Sequence, residues 1–396
     1  MAGPLSGLRV LDLSTVVSGP MATMMLADQG AEVVKLEAPG LGDLTRHVTS
    51  QRGGMTALYL AVNRGKQALT LDLSGEEGLQ VLRRLVVDFD VLVQNFRPGV
   101  VDRMGIGYAA LRESKPDLVY LSISGFGFEG PLAGLPVYDN LIQASAGFAA
   151  TQSDASAAPT LIRNLVCDKL TALAAAQALC AALVARERGA GGQHVTLSML
   201  DAAVAFLWTD AASDVALLGE DVDTRETPLG NAGITRFADG WGTASALSDE
   251  HFRGLCRIFG VPEVADDPRF ASLQERSSHP DFLRVYREKV LPAAATLPVL
   301  ETTERLQAEG IGAAAVVAPA DLHRSPQVIA NGTLFEREHP AAGRVREAHP
   351  AAHFSSTPAP PGGPAPLPGE HTDTVLARAG YGPPEIQRLR AAGIVS

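Results

Sequence analysis

Asp168 is the ionisable residue whose placement most invites chemistry. It closes Asn164-Leu-Val-Cys-Asp168 and precedes an alanine- and leucine-rich run, LTALAAAQALCAALVA. An aspartate there can be an N-cap, accepting hydrogen bonds from the first-turn N–H groups of a helix. The same helix terminus favours the ionised form, and an ionised carboxylate can serve as a covalent nucleophile. Position alone leaves both roles open. Two arginines, Arg97 in Asn95-Phe-Arg-Pro-Gly99 and Arg103 in Val101-Asp-Arg-Met-Gly105, flank the end of a predicted strand. Open α/β sheets bind ligands at that edge, and a guanidinium suits phosphate through its bidentate fork. Each arginine also fits a solvated surface position.

Other motifs are weaker. Gly125-Phe-Gly-Phe-Glu-Gly130 spells GxGxxG, but Pro131, Gly134 and Pro136 follow where a dinucleotide site needs a helix. It reads as a loop where backbone approaches something closely. Gly105-Ile-Gly-Tyr-Ala-Ala110 resembles the same pattern and follows no strand. Asn63-Arg-Gly-Lys66 is a basic loop or a turn between helix and strand. No GxSxG, phosphate loop or HExxH occurs, and Pro350 separates His349 from His353, so no metal site is predicted.

These residues need a scaffold, and the first 200 positions alternate between strand and helix patterns. Leu8–Leu13, Ala31–Leu36, Ala68–Leu73, Val91–Phe96 and Leu118–Ser124 are short apolar runs bounded by Gly, Pro or Asp. Helices are predicted over Pro20–Gln29, with Gly30 just beyond, and over Gly75–Phe89, apolar at 79, 82, 85, 86 and 89. A long Ala/Leu helix over Asp168–Glu187 turns at Gly189–Gly192 into a strand at Gln193–Leu197. Such alternation predicts a parallel α/β sheet. Residues 1–210 are assigned to this large domain, 228–330 to a smaller α+β domain with a helix at Asp249–Ile258, and 331–396 to a return segment. Thr357–Gly369 is too rich in Pro and Gly for helix or sheet, and Gly382–Ala392 resumes as a terminal helix.

Composition narrows the function classes. The 396 residues are 46% hydrophobic, 19% charged and 5% aromatic, enough apolar material for a large core. No uncharged run approaches the roughly 20 residues needed to cross a bilayer, so no membrane association is expected. The net charge of −11 argues against nucleic acid as a partner. Cys167, Cys180 and Cys256 contain no CxxC and cannot form a disulfide framework. The opening MAGPLSGLRVLDLS shows no basic segment ahead of an apolar stretch. A cytoplasmic protein is expected.

Taken in order, several segments resemble the family III coenzyme A transferases, the CaiB/BaiF family. They are Ser18-Gly-Pro20, Gly30-Ala-Glu-Val-Val-Lys-Leu-Glu-Ala-Pro39, Gly42-Asp-Leu-Thr-Arg46, Asn63-Arg-Gly-Lys66, Leu71-Asp-Leu73 and Asn95-Phe-Arg-Pro-Gly99. Ser122-Ile-Ser-Gly-Phe-Gly127, Gly130-Pro131, Tyr138-Asp-Asn140, Pro368-Gly-Glu-His-Thr372 and Gly380-Tyr-Gly382 follow. The resemblance spans nearly the whole chain and is densest over residues 1–200. It implies a Rossmann-like domain completed by the C-terminal segment, a smaller inserted domain, and an intertwined homodimer of interlocked chains.

The resemblance also implies a chemistry. Asp168 matches the family's nucleophile, which forms a mixed anhydride with the acyl group, then an aspartyl-CoA thioester that passes CoA to an acceptor carboxylate. Coenzyme A and acyl-CoA are then substrates, a carboxylic acid is the acceptor, and no tightly bound cofactor is needed. The matching CoA-site positions are Val17, Ser18, Leu71, Asp72, Asn95, Phe96, Arg97, Arg103 and Tyr138, with Arg103 at the phosphate or adenine. Formyl-CoA-type members carry glutamine where Val17 stands and arginine where Ala38 stands. They also have a mobile glycine-rich loop where this chain has only Gly230-Asn-Ala-Gly233. A more apolar acyl group than formyl or oxalyl is therefore expected. α-Methylacyl-CoA racemases share the family but need a histidine where Tyr138 stands, and no histidine occurs between His47 and His194. A non-catalytic CoA-binding protein is the third reading, disfavoured by the presence of Asp168.

Overall fold

The computed structural model describes residues 3–152, 158–222 and 233–396. The chain divides into two compact units, one of residues 1–216 with 332–396 and the other of residues 217–331.

The larger unit is built on six parallel strands: β1 (Arg9–Asp12), β2 (Glu32–Glu37), β3 (Lys66–Thr70), β4 (Val91–Gln94), β5 (Val119–Ser124) and β6 (His194–Ser198). Their order is β3-β2-β1-β4-β5-β6, the doubly wound order whose crevice opens where the chain reverses direction between β1 and β4. Side chains alternate across the pleat. Val10, Val33, Val91, Val119 and Leu121 face one layer, and Leu11, Val34, Leu69, Leu92 and Tyr120 face the other.

Helices cover both faces. In chain order they include α1 (Ser18–Asp28), α2 (Ala57–Asn63), α3 (Glu76–Val86), α4 (Asp139–Ser145), α5 (Val166–Ala185) and α6 (Met199–Trp208). The first layer packs α1 and α5, through Ala22, Leu26, Leu170, Ala175 and Leu179, with Ile142 of α4 and Ala203 of α6. The second packs α3 with residues near the C-terminus, Val375, Leu376, Ile386, Leu389 and Val395. The tail thus supplies part of the core, and Leu71 forms an antiparallel bridge to Val395. Residues 358–367 carry neither helix nor strand.

Two expectations need correcting. The long helix starts at Val166, not Asp168, because its first turn is capped from outside by α4 rather than by its own aspartate. The helical run Val166–Ala190 is also long and apolar enough to cross a membrane by length and composition, contrary to the reading that no such stretch exists. Half of its apolar window is buried, and its small residues lie against the sheet, as a core helix requires.

The smaller unit has a three-stranded antiparallel sheet of β7 (Thr235–Arg236), β8 (Trp241–Ser245) and β9 (Gly312–Ala315), with β8 central. Its helices include α7 (Asp249–Phe259) and α8 (Val299–Ala308). Ser248 caps α7 by accepting the His251 N–H at 3.0 Å, and Gly260 ends it in the left-handed conformation. Phe237, Phe252, Leu255, Phe259 and Phe270 form its core. Gly230 to Ala232 lie outside the described residues.

Candidate active site

The C-terminal ends of β1, β4 and β5 lie side by side and frame a cavity of about 230 Å³, room for the reacting end of a ligand rather than for a whole nucleotide. The loop after β1 is held on one side by Asn95, whose Oδ1 accepts the Thr15 N–H at 2.9 Å and whose Nδ2 donates to the Thr15 carbonyl at 2.8 Å. The loop after β5 requires glycine at its turn. A Cβ on Gly125 would collide with Val137, the neighbour that places Tyr138 at the rim. This is the close backbone approach suggested by the glycine-rich run.

Asp168 reaches the cavity from the third position of α5 and is 6% exposed. Its side chain caps nothing. The capping carboxylate is Asp139, at the start of α4, whose Oδ1 accepts the Asp168 N–H at 2.9 Å. Asp139 is held in turn by Gln143, which donates to its Oδ2 at 2.6 Å. Gln143 also accepts from the Ile162 N–H at 2.9 Å and faces the Ile162 and Asn164 carbonyls at 3.2 and 3.1 Å. One buried amide thereby fixes both the capping carboxylate and the segment leading into α5.

Electrostatics follow from this placement. Burial pushes the Asp168 carboxyl up, the Asp139 charge adds to it, and only a backbone hydrogen bond from Ser18 opposes, leaving it at about 7. Such a carboxyl is partly ionised at neutral pH and more basic than an exposed one. The neighbouring Cys167 thiol is pushed up to about 12 by burial and by both aspartates, which removes it as a competing nucleophile.

The predicted residues divide. Ser18, Asn95, Phe96, Arg97 and Tyr138 line the cavity with Asp168. Arg97 is its sole cationic side chain among the described residues, and it is exposed. Val17, Leu71, Asp72 and Arg103 do not line it. Val17 is buried at 2% exposure, and its neighbour Val16 takes the place in the wall. Leu71 is a core side chain that can offer a ligand only backbone. Asp72 folds back on Ser74, accepting its N–H at 2.8 Å and its hydroxyl at 2.9 Å. Arg103 is exposed on the short helix Val100–Arg103 after β4.

Sequence reasoning missed Val16, Ser124, Met199 and, behind the cavity, Asp139 and Gln143. Tyr138-Asp-Asn140 pointed to the right segment, but no local pattern announces that Asp139 caps a helix 29 residues later. Among the described residues no histidine lines the cavity. His47 instead bonds through Nε2 to the Leu41 carbonyl at 2.7 Å.

The acetyl-CoA:oxalate CoA-transferase of Acetobacter aceti is 34% identical, with 84% of this chain and 86% of that protein covered. Formyl-CoA:oxalate CoA-transferase of Escherichia coli is 31% identical over 98% of this chain and 99% of that one. Among solved structures, Rv3272 from M. tuberculosis superposes with a TM-score of 0.82 at 30% identity, covering 94% of this chain and 99% of that one. A CAIB/BAIF family protein from Brucella suis gives a TM-score of 0.82 at 28% identity, over 96% of this chain and 100% of the other. Residues 5–372 match the sequence pattern of CoA-transferase family III, and the chain belongs to that family.

Proposed function

We propose that the protein moves CoA from an acyl-CoA donor to a carboxylic acid acceptor through a covalent intermediate on Asp168. The observation that carries the reading is a buried carboxylate with no cationic partner among the described residues, set in a cavity with Asn95, Phe96, Arg97 and Tyr138. In the first step an Asp168 oxygen attacks the thioester carbonyl, the C–S bond breaks, and CoA leaves as the thiolate. The resulting mixed anhydride is attacked at the aspartyl carbonyl by that thiolate, which releases the donor acid and leaves an aspartyl-CoA thioester. An acceptor carboxylate then attacks the thioester and the sequence runs in reverse, so every bond broken is matched by one of similar energy. Covalent storage divides one hard exchange into easier ones.

Burial serves this chemistry, because a poorly solvated carboxylate is the better nucleophile and excluded water cannot hydrolyse the anhydride. Leu71, Asp72 and Arg103 follow β3 and β4 along the same edge of the sheet, and we assign them to the remote end of CoA. Leu71 then acts through its backbone. CoA and its esters are substrates in this reading, and no cofactor need stay bound. We further propose an interlocked homodimer in the cytoplasm, where CoA esters are found and three free cysteines stay reduced. The named activities of the relatives make oxalate the first acceptor to try.

The test is one incubation of the purified protein in heavy water with a 2-methylacyl-CoA, or with acetyl-CoA, and a free acid, read by mass spectrometry. A new CoA ester of the added acid without deuterium at the α-carbon supports transfer. Deuterium at the α-carbon with no new ester would mean proton transfer in place of CoA transfer. Asp168→Asn should abolish exchange, by at least about a thousandfold, while CoA still binds. Full activity in that variant would remove Asp168 as nucleophile.

A further inference from the structure

Val16 adopts φ +71, and among the described residues only it and Thr49 take positive φ without being glycine. For a β-branched side chain this is one of the least tolerated conformations, and it persists only where the surroundings impose it. Here the imposing group is Asp43, whose two carboxylate oxygens both lie 3.3 Å from the Val16 N–H. The carboxylate is itself fixed. Lys35 Nζ lies 2.8 Å away, with both side chains fully buried, and the Thr45 N–H and hydroxyl donate at 2.9 and 2.7 Å. Lys35 also donates to the Ser14 carbonyl at 2.9 Å, so the pair grips the loop at two points. Val16 lines the cavity with Asp168, and Ser18, two residues on, offers its N–H to the Asp168 carboxylate.

We propose that Asp43 is a positioning residue for the reaction: it holds Val16 in the left-handed conformation and so fixes the Thr15–Ser18 loop against Asp168. The inference rests on Asp168 being the reacting group, whereas Asp43 itself does not line the cavity. The competing account gives Asp43 only a structural role, as partner of Lys35 and cap of the turn at Leu44–Arg46.

A second-site rescue separates the two. In Asp43→Ser the shorter residue can still cap the turn but cannot reach Val16, which is then free to relax and carry Ser18 away from Asp168. The expected result is a fall in kcat for CoA exchange of about tenfold or more, with KM for the CoA ester changed by less than about threefold. Adding Val16→Gly should restore most of the lost kcat, because glycine takes positive φ unaided. A purely structural Asp43 predicts no rescue, and a double variant as slow as Asp43→Ser would overturn the proposal. Should Asp43→Ser fail to fold with Lys35 unpaired, Asp43→Ser/Lys35→Met is compared with and without Val16→Gly, because removing both members of the pair orphans no buried charge. Should the wild-type protein exchange no CoA, the Asp168 reading fails, and this inference is then judged by amide hydrogen exchange over residues 15–19. That segment should exchange at least about tenfold faster in Asp43→Ser and slow again in the double variant. Unchanged protection across the cycle would rule out Asp43 as the group that fixes the loop.

Discussion

Asp12 and Asp168 are both buried carboxylates of the larger unit, yet they titrate on opposite sides of their ordinary value. At Asp12, burial pushes the carboxyl up, but Lys66 and Lys35, aided by the Ser14 and Thr23 hydroxyls, outweigh it and hold it at about 2. Lys66 lies 2.9 Å away and is itself fully buried. At Asp168, burial and Asp139 act in the same direction and bring the carboxyl to about 7. The desolvation is common to both places, and the countercharge is what differs. Cations neutralise the carboxylates beneath the β1 loop, whereas the N-terminus of α5 receives a second carboxylate. A charge left unpaired in this way costs stability and retains reactivity.

That contrast can be tested at either end. Lys66→Met should strand Asp12 and lower unfolding free energy by about 3–5 kcal/mol in a urea titration. A loss below about 1 kcal/mol would mean that Lys66 does not neutralise Asp12. The opposite sign is expected at the other site. Asp168 holds its proton more tightly folded than at the ordinary value of 3.8, so its ionisation destabilises the protein progressively as pH rises from about 4 through about 7. Asp168→Asn should therefore raise stability by about 2–4 kcal/mol at pH 8 and change it little at pH 4. Equal shifts at both pH values would contradict the unpaired charge.

Asp139→Asn keeps an acceptor for the Asp168 N–H but removes the facing charge. Exchange should rise with pH through a midpoint near 7 in the wild type, and in this variant the midpoint should fall by about one unit. A midpoint that stays put would assign the shift to burial alone. The smallest effect concerns Glu347, buried with neither carboxylate oxygen hydrogen-bonded, although Arg337 Nη2 lies 3.2 Å from one of them. Burial raises its pKa despite Arg337 and Arg64. Its ionisation thus also costs stability as pH rises, and Glu347→Gln should lift the melting temperature by about 2 °C at pH 8, with less gain at pH 4.

Much of the scaffold was legible because its signals are local. Apolar runs bounded by turn residues located all six parallel strands with ends at most three residues off, and the 79, 82, 85, 86 spacing marked the buried face of α3. Boundaries failed where the cap was distant. Asp168 sits where an N-cap often does, but the cap came from Asp139. The site was legible in part: Ser18, Asn95, Phe96, Arg97, Tyr138 and Asp168 do meet in one cavity. The side chains of Val17 and Leu71 turn into the core and not the cavity, because one residue of phase decides which way a side chain faces, and a positive φ at Val16 cannot be read from residue types.

By itself, then, the sequence determined the strand and helix alternation, the family's ordered segments and the candidacy of Asp168. Only the tertiary structure decided which carboxylate is paired and which is not. Periodicity records which face of an element is apolar. A pKa instead depends on which charges stand a few ångströms away, and here those partners lie 29 residues off for Asp168 and 54 for Asp12.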